Sequence, residues 1–193
     1  MVARWRAPLL AIATLLISTL AIGGTAMAAD LDNTLYMGVP AGRVVIEMRP
    51  DLAPHHVEQI KRLTRQGFYN GVVFHRVIAG FMAQTGDPTG TGTGGSGTKL
   101  KAEFSGEHFV RGVVGMARAQ SPDSADSQFF IMFAPAPSLD GQYTIWGKVT
   151  SGMEFIDAIK KGDQASNGSV SNPDKIIKMQ VASDAAKAGA PAK

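Results

Sequence analysis

From about residue 33 onward, apolar and polar side chains alternate with the two-residue period of an extended chain. Leu35-Tyr36-Met37-Gly38-Val39 and Arg43-Val44-Val45-Ile46-Glu47-Met48 are two such runs, and Pro40-Ala41-Gly42 between them reads as a hairpin connection. The period then changes to that of a helix. Val57, Ile60 and Leu63 form an apolar stripe opposed by Glu58, Lys61, Arg62 and Arg65. Asp51 is the expected cap of this helix, Pro54 suits its first turn, and Gly67 ends it. A second helix is expected to open at Ser151. There Ser151-Gly152-Met153-Glu154 has capping-box form, and Phe155, Ile156 and Ile159 supply a buried face. Further strands are expected around 73–78, 81–85, 99–103, 111–117, 128–133, 143–149 and 176–181. The remainder, 183–193, is a tail of Ala, Gly, Lys and Pro expected to be mobile. Many strands with two helices suit a sandwich or a closed barrel, and the pattern does not choose between them.

Composition narrows the function classes. The chain has 193 residues, 45% hydrophobic and 18% charged, which suits one ordinary domain with a real core. Residues 1–28 read as a secretory signal peptide. Arg4 and Arg6 are its charged start, 9–22 its apolar run, and Ala26-Met27-Ala28 its cleavage site, with cleavage expected just before Ala29. The competing reading is an uncleaved membrane anchor. The apolar run is shorter than the roughly 20 residues of a spanning helix, however, and Pro8, Ser18 and Thr19 weaken it. Cleavage is therefore expected, and no stable membrane association after it. In a bacterium the mature chain, 29–193, would reach the periplasm or the outside. Removing Arg4 and Arg6 from the 19 basic residues leaves 17 against 16 acidic ones, so the mature domain offers no basic balance for nucleic acid. With no cysteine, disulfides, thiolate nucleophiles and Cys-ligated metals are impossible.

Two motifs are set aside on context. Gly90-Thr91-Gly92-Thr93-Gly94-Gly95 satisfies G-x-G-x-x-G, but Ser96-Gly97-Thr98-Lys99-Leu100 leads toward a strand rather than the helix a pyrophosphate needs. A flexible surface loop explains it better. His55-His56 has no metal-binding spacing around it and reads as the opening turn of the first helix. No G-x-S-x-G elbow is present.

One stretch concentrates unusual chemistry. Residues 73–88 read as two short apolar strand segments hinged at Ala79-Gly80 and closed by Gly86-Asp87-Pro88. Arg76 and Gln84 lie there among Phe74, Phe81 and Met82. Taken alone, Arg76 would be a strand arginine paired with a surface carboxylate. Phe81, Phe130 and Leu139 would be core, and Gln84 and Gln128 surface amides. His75 falls on the face opposite Arg76 and is expected to be packed and hydrogen-bonded.

Phe74-His75-Arg76-Val77-Ile78, Gly80-Phe81-Met82, Gln84 and Gly86-Asp87-Pro88-Thr89-Gly90-Thr91-Gly92 resemble the signature of the cyclophilin-type peptidyl-prolyl isomerases. Gly115-Met116-Ala117-Arg118-Ala119 with Ser127-Gln128-Phe129-Phe130-Ile131, and Leu139-Asp140-Gly141-Gln142-Tyr143 with Gly147-Lys148-Val149, follow in family order. The resemblance runs from about 33 to about 182. It implies an all-β fold with two helices: an eight-stranded antiparallel barrel closed at its ends by the helices. It carries over Arg76, Phe81 and Gln84 as catalytic residues, and Phe81, Met82, Phe130 and Leu139 as the pocket for a proline ring. Gln84 would hydrogen-bond the substrate backbone, the main chain at Arg118 would hold the residue before proline, and Ala117 and Gln128 would line the adjoining groove. Tyr143 stands where animal members tend to carry histidine, and Ser138, after Pro137, where cyclosporin-sensitive members carry tryptophan. The implied partners are proline-containing segments of exported proteins, met by a monomer.

The chemistry of such a site follows from the amide. Rotation about the prolyl bond is opposed by about 18–20 kcal/mol, because the nitrogen lone pair is conjugated with the carbonyl. Twisting localises that pair on nitrogen, so a donor aimed there is worth more in the transition state than in the ground state. Arg76 is the candidate donor. No proton is transferred, no covalent bond forms, and neither cofactor nor metal is needed. The alternative is a module that holds proline-containing segments with little turnover.

Overall fold

The computed structural model describes Met1 and residues 30–189. The expected signal peptide, Met1 apart, and positions 190–193 lie outside the described residues. Eight strands are present: β1 (Thr34–Val39), β2 (Gly42–Met48), β3 (Arg76–Ile78), β4 (Met82–Thr85), β5 (Val113–Met116), β6 (Phe129–Met132), β7 (Ile145–Ser151) and β8 (Lys178–Val181). They form one antiparallel sheet in the order β3-β4-β6-β5-β7-β2-β1-β8. The sheet curls until the chain just before β3 meets the chain just before β8. Val73 bridges Lys175, the Phe74 N–H donates to Asp174 O at 2.8 Å, and the Ile176 N–H donates to Val72 O at 2.8 Å. β3 and β8 are not paired along their length, so the expected closed barrel is a curled sheet laced at one seam.

Three helices accompany it: α1 (Pro54–Arg65), α2 (Met153–Asp157) and α3 (Ala182–Gly189). α1 buries Val57, Ile60 and Leu63, as its stripe predicts. Its cap differs from the expectation. Asp51 is turned to Arg49, 2.7 Å away, and Ala53 at the cap position makes no side-chain bond. The carboxylate of Glu103 takes over, accepting from the His55 and His56 backbone N–H groups at 3.2 and 3.1 Å and from the His56 ring Nδ1 at 2.6 Å. A distant acceptor thus satisfies the donors that a helix start leaves unpaired.

The capping box at Ser151 does not form. Ser151 is still in β7, paired with Val45, and the turn is made by Gly152 at φ +83°. A side chain there would press against Arg43 O at 2.6 Å, so strand and helix join too closely for any other residue. Ile156 and Ile159 are buried beneath the short helix. The strand expected at 99–103 reduces to a single bridge, Leu100 to Ala125. The stretch 182–189 is helical rather than an unstructured tail, and Asp184 meets Arg65 of α1 at 2.9 Å.

Both faces of the middle strands are buried, on two separate clusters. Along β6, Phe129 and Ile131 point into the main core with Phe74, Val114 and Trp146. Phe130 and Met132 point the other way, into a smaller cluster with Met82, Phe109, Val113 and Ile145. The strand period of two thus builds a second apolar layer on the outer face, and Phe81, Ala117, Leu139 and Tyr143 pack against it.

Candidate active site

Strand register assembles the site. Arg76 on β3 lies opposite Gln84 on β4, Gln84 opposite Phe130 on β6, and Phe130 opposite Gly115 on β5. Directly opposed residues share a face, so a guanidinium, a carboxamide and an aromatic ring stand in one row. Gly115 ends the row with no side chain for a reason. A Cβ there would meet Phe109 and Phe130 ring atoms at 2.6 Å, where those rings stack 5.6 Å apart over the strand. Tyr143 meets Phe130 edge-on at 5.7 Å, completing an aromatic floor.

Above this floor is a cleft of about 200 Å³ lined by Arg76, Phe81, Met82, Gln84, Ala117, Arg118, Phe130, Leu139 and Tyr143. Gln128 alone of the sequence-predicted residues falls outside it. It lines the adjoining hollow of about 380 Å³, which shares Gln84, Ala117 and Arg118 with the first and adds Lys99 and Asp126. The predicted residues therefore converge on one continuous groove. Arg118 does more with its side chain than its implied main-chain role. Its guanidinium lies 4.5 Å over the Tyr143 ring and donates to Gln142 O at 3.1 Å, fixing the wall it shares with Tyr143.

A directional relay crosses the groove. Arg76 Nη1 donates to Gln84 Oε1 at 3.2 Å, Gln84 Nε2 donates to Gln128 Oε1 at 2.9 Å, and Gln128 Nε2 donates to Gly92 O and Gly94 O at 3.0 and 2.8 Å. Because a guanidinium only donates, it sets the orientation of both amides. The relay ends on the glycine-rich loop, and Asp87 holds that loop. Burial opposes its ionisation, but Thr89 and the Gly94 and Gly92 N–H groups bring its carboxyl down to about 2. Thr91 and Thr93 extend the loop through hydroxyl contacts of 2.8 Å. The loop is thus a braced wall of the groove, which its motif did not reveal.

Arg76 is half-buried, and burial pushes it down from the ordinary arginine value, with Tyr143 opposing. A guanidinium nevertheless stays charged at any physiological pH. His75 does not follow strict alternation: Phe74 and Val77, three positions apart, both enter the main core, and the His75 ring lies beside Gly92 of the glycine-rich loop. It is packed, but the expected hydrogen bonding is missing: both ring nitrogens are buried without a partner, and burial lowers its pKa. Among the described residues, no three His, Cys, Asp or Glu side chains gather in a way that could hold a metal. His56 is committed to Glu103.

Sequence reasoning missed Phe109, whose ring underlies Phe130, and Asn167, which binds Arg76 from 91 positions away. Neither carries a periodic or motif signal.

The sequence model described as cyclophilin type peptidyl-prolyl cis-trans isomerase/CLD matches residues 34–181, all eight strands included. The chain belongs to this family. It is 59% identical over 172 residues to a probable peptidyl-prolyl cis-trans isomerase of Brucella suis, covering 83% of this chain and 88% of that one. To peptidyl-prolyl cis-trans isomerase B of Bacillus subtilis it is 45% identical, over 63% of this chain and 85% of that one. A cyclophilin-type isomerase of Cryptosporidium parvum, crystallised in the presence of the dipeptide Ala-Pro, superimposes with a TM-score of 0.71 at 29% identity, over 77% of this chain and 98% of that one. A cyclophilin of Hirschia baltica gives a TM-score of 0.70 at 28% identity, over 80% of this chain and 76% of that one. This cyclophilin is a peptidyl-prolyl cis-trans isomerase.

Proposed function

We propose that this cyclophilin rotates X–Pro bonds by non-covalent stabilisation of the twisted amide, with Arg76 as the reacting donor, and that its clients are exported proteins. The observation that carries the mechanism is the row of Arg76, Gln84 and Phe130: a fixed cation at the edge of an apolar, aromatic-floored cleft. A proline ring fits among Phe81, Met82, Phe130 and Leu139, which fixes one side of the bond. With the ring held, rotation moves the residue before proline. As conjugation breaks, the nitrogen lone pair turns toward the guanidinium, whose charge it meets in a half-buried setting where solvent screens it less. Gln84 is held between Arg76 and Gln128, so its orientation costs nothing further when substrate arrives. The Ala-Pro dipeptide of the Cryptosporidium crystals supports a ligand of this class.

Export is supported by the sequence before Ala29 and by Asp30, which opens the folded domain. A monomer suffices, since one chain supplies every residue of the groove. Among the described residues, no helix is long and apolar enough to cross a membrane.

The test is a protease-coupled cis-to-trans assay on a prolyl peptide with residues 29–193. Arg76→Ala is expected to lower kcat/KM by two or more orders of magnitude, roughly the scale of removing a transition-state donor. Its unfolding midpoint should stay near wild type. Arg76→Lys should recover little, because one ammonium does not reproduce the planar fork. Near-normal turnover in Arg76→Ala would sink the mechanism, and slow turnover with tight peptide binding in the wild type would favour a holding role.

A further inference from the structure

Arg76 is held from behind by a loop that no sequence motif marks. Its Nε–H donates to the backbone oxygen of Asn167 at 3.0 Å, and its Nη2 donates to the side-chain Oδ1 of the same residue at 2.9 Å. Together with the 3.2 Å bond from Nη1 to Gln84, three of the five guanidinium N–H groups are engaged, leaving one on each terminal nitrogen for a substrate. We propose that Asn167 is a positioning residue for the isomerase reaction: it grips the rear edge of the Arg76 fork through two acceptors, so that the other edge is presented to the prolyl nitrogen.

The loop is built to keep that grip in register with β3. The Val77 N–H donates to Gly168 O, the Gly162 N–H donates to Val77 O, both at 2.8 Å, and the Val170 N–H donates to His75 O at 3.1 Å. Loop and strand therefore move as one. Gly168, at φ +78°, passes so close that a Cβ would meet the Ile78 side chain at 2.4 Å. Asp163 closes the turn, its backbone oxygen accepting from the Gly168 N–H at 2.8 Å and its carboxylate from Ser166 Oγ at 2.8 Å.

Asparagine answers two demands at this position. It sits at φ +53°, a left-handed conformation that Asn tolerates better than most residues. It also offers a neutral oxygen. A carboxylate would grip the fork equally well but would neutralise the field that the reaction uses, whereas an amide fixes the guanidinium and leaves its charge intact. Side-chain freedom is otherwise considerable in arginine, so two bonds to one residue remove orientations that cannot react.

The proposal rests on the reading of Arg76 as the reacting donor, and the experiment separates the two. Asn167→Gly keeps the left-handed backbone and its oxygen while removing Oδ1. Its kcat is expected to fall by about tenfold, a typical scale for slight misplacement of a reacting group, with KM and unfolding midpoint little changed. In an Arg76→Ala background, Asn167→Gly should cost nothing further, since a residue that acts only through Arg76 has no route left. By NMR, the Arg76 Nη2–H signal, identified by its absence in Arg76→Lys, should be protected from solvent exchange in the wild type, because its acceptor is the Asn167 Oδ1. That protection should be reduced in Asn167→Gly and restored in Asn167→Asp, which keeps the acceptor. Full activity in Arg76→Ala would overturn the reading of Arg76 itself. Collapse of Arg76→Ala with wild-type kcat in Asn167→Gly would overturn only the positioning role, as would an equal loss in the Arg76→Ala background or an unchanged Nη2–H signal.

Discussion

Ser138 is exposed in a 3₁₀ turn, Pro137–Leu139, whose last residue forms part of the cleft wall. In cyclosporin-sensitive relatives this place holds a tryptophan, whose broad face and fixed N–H are the features of an interface anchor. A serine offers a small hydroxyl and little apolar area. The proposed mechanism draws on Arg76, Gln84 and the apolar pocket, and the hydrogen bonds of Arg76 and Gln84 do not involve Ser138. This cyclophilin should therefore turn over prolyl peptides yet bind cyclosporin about 1–3 kcal/mol more weakly than a tryptophan-bearing relative, the range of a hot-spot contact. Ser138→Trp is expected to tighten inhibition with kcat/KM nearly unchanged, as read by inhibitor titration in the isomerase assay. Equal inhibition of both proteins would remove Ser138 as the determinant. The same scale shows what sequence made legible. Arg76, Gln84, Phe130 and their companions stand in spaced motifs, whereas Asn167 sits in an Asn-Gly turn that looks like any other until β3 is seen lying against it.

At the scale of elements, the start of α1 shows why local signals mislead. Asp51 lies where a cap should be, but Arg49 two residues earlier offers a closer, charged partner, and the helix is capped by Glu103 instead. The same carboxylate pairs with His56, which is fully buried. Burial pushes His56 down, outweighing the pull of Glu103, so at neutral pH a neutral ring donates Nδ1–H to a carboxylate. Burial acts to raise Glu103, but the His56 ring and the His55 and His56 N–H groups hold it below its ordinary 4.5. Both folded values lie below the unfolded ones. The stability they contribute is present above pH 6.5 for His56 and 4.5 for Glu103, and is lost as pH falls through each lowered value. Glu103→Ala should thus cost about 1–3 kcal/mol at pH 7, the combined scale of a lost cap and an unpaired buried ring. Denaturant unfolding at pH 7 and pH 3.5 would check this, with the gap from wild type narrowing in acid. A gap independent of pH would show that the carboxylate charge is not what holds the helix start. The α3 helix was hidden differently: Ala182, Ala185, Ala186 and Lys187 favour helix, but Gly and Pro nearby suggest a tail.

For the molecule as a whole, the long strands β1 and β2 were legible because alternation persisted for six and seven residues. Shorter strands were over-read: β5 and β6 are buried on both faces and lose the alternating signature, β3 and β4 run for only three and four residues, and 99–103 finds only one bridging partner. Whether the sheet closes is set by the seam at Val73 and Lys175, a long-range pairing that no local pattern encodes. The start of the described domain falls more plainly. Asp30 begins the folded part by accepting from the Asp32 and Asn33 N–H groups and from Asn33 Nδ2, the last at 2.6 Å, and Thr34 then opens β1. The expected cleavage before Ala29 would leave that capped turn whole. The mature protein is accordingly expected to start at or near Ala29 and to stay in the soluble fraction of the cell envelope. N-terminal sequencing of protein recovered from the native envelope checks both points. A chain that keeps Arg4 and sediments with membranes would mean that the apolar run at 9–22 serves as an anchor, and that the isomerase works tethered at the membrane surface.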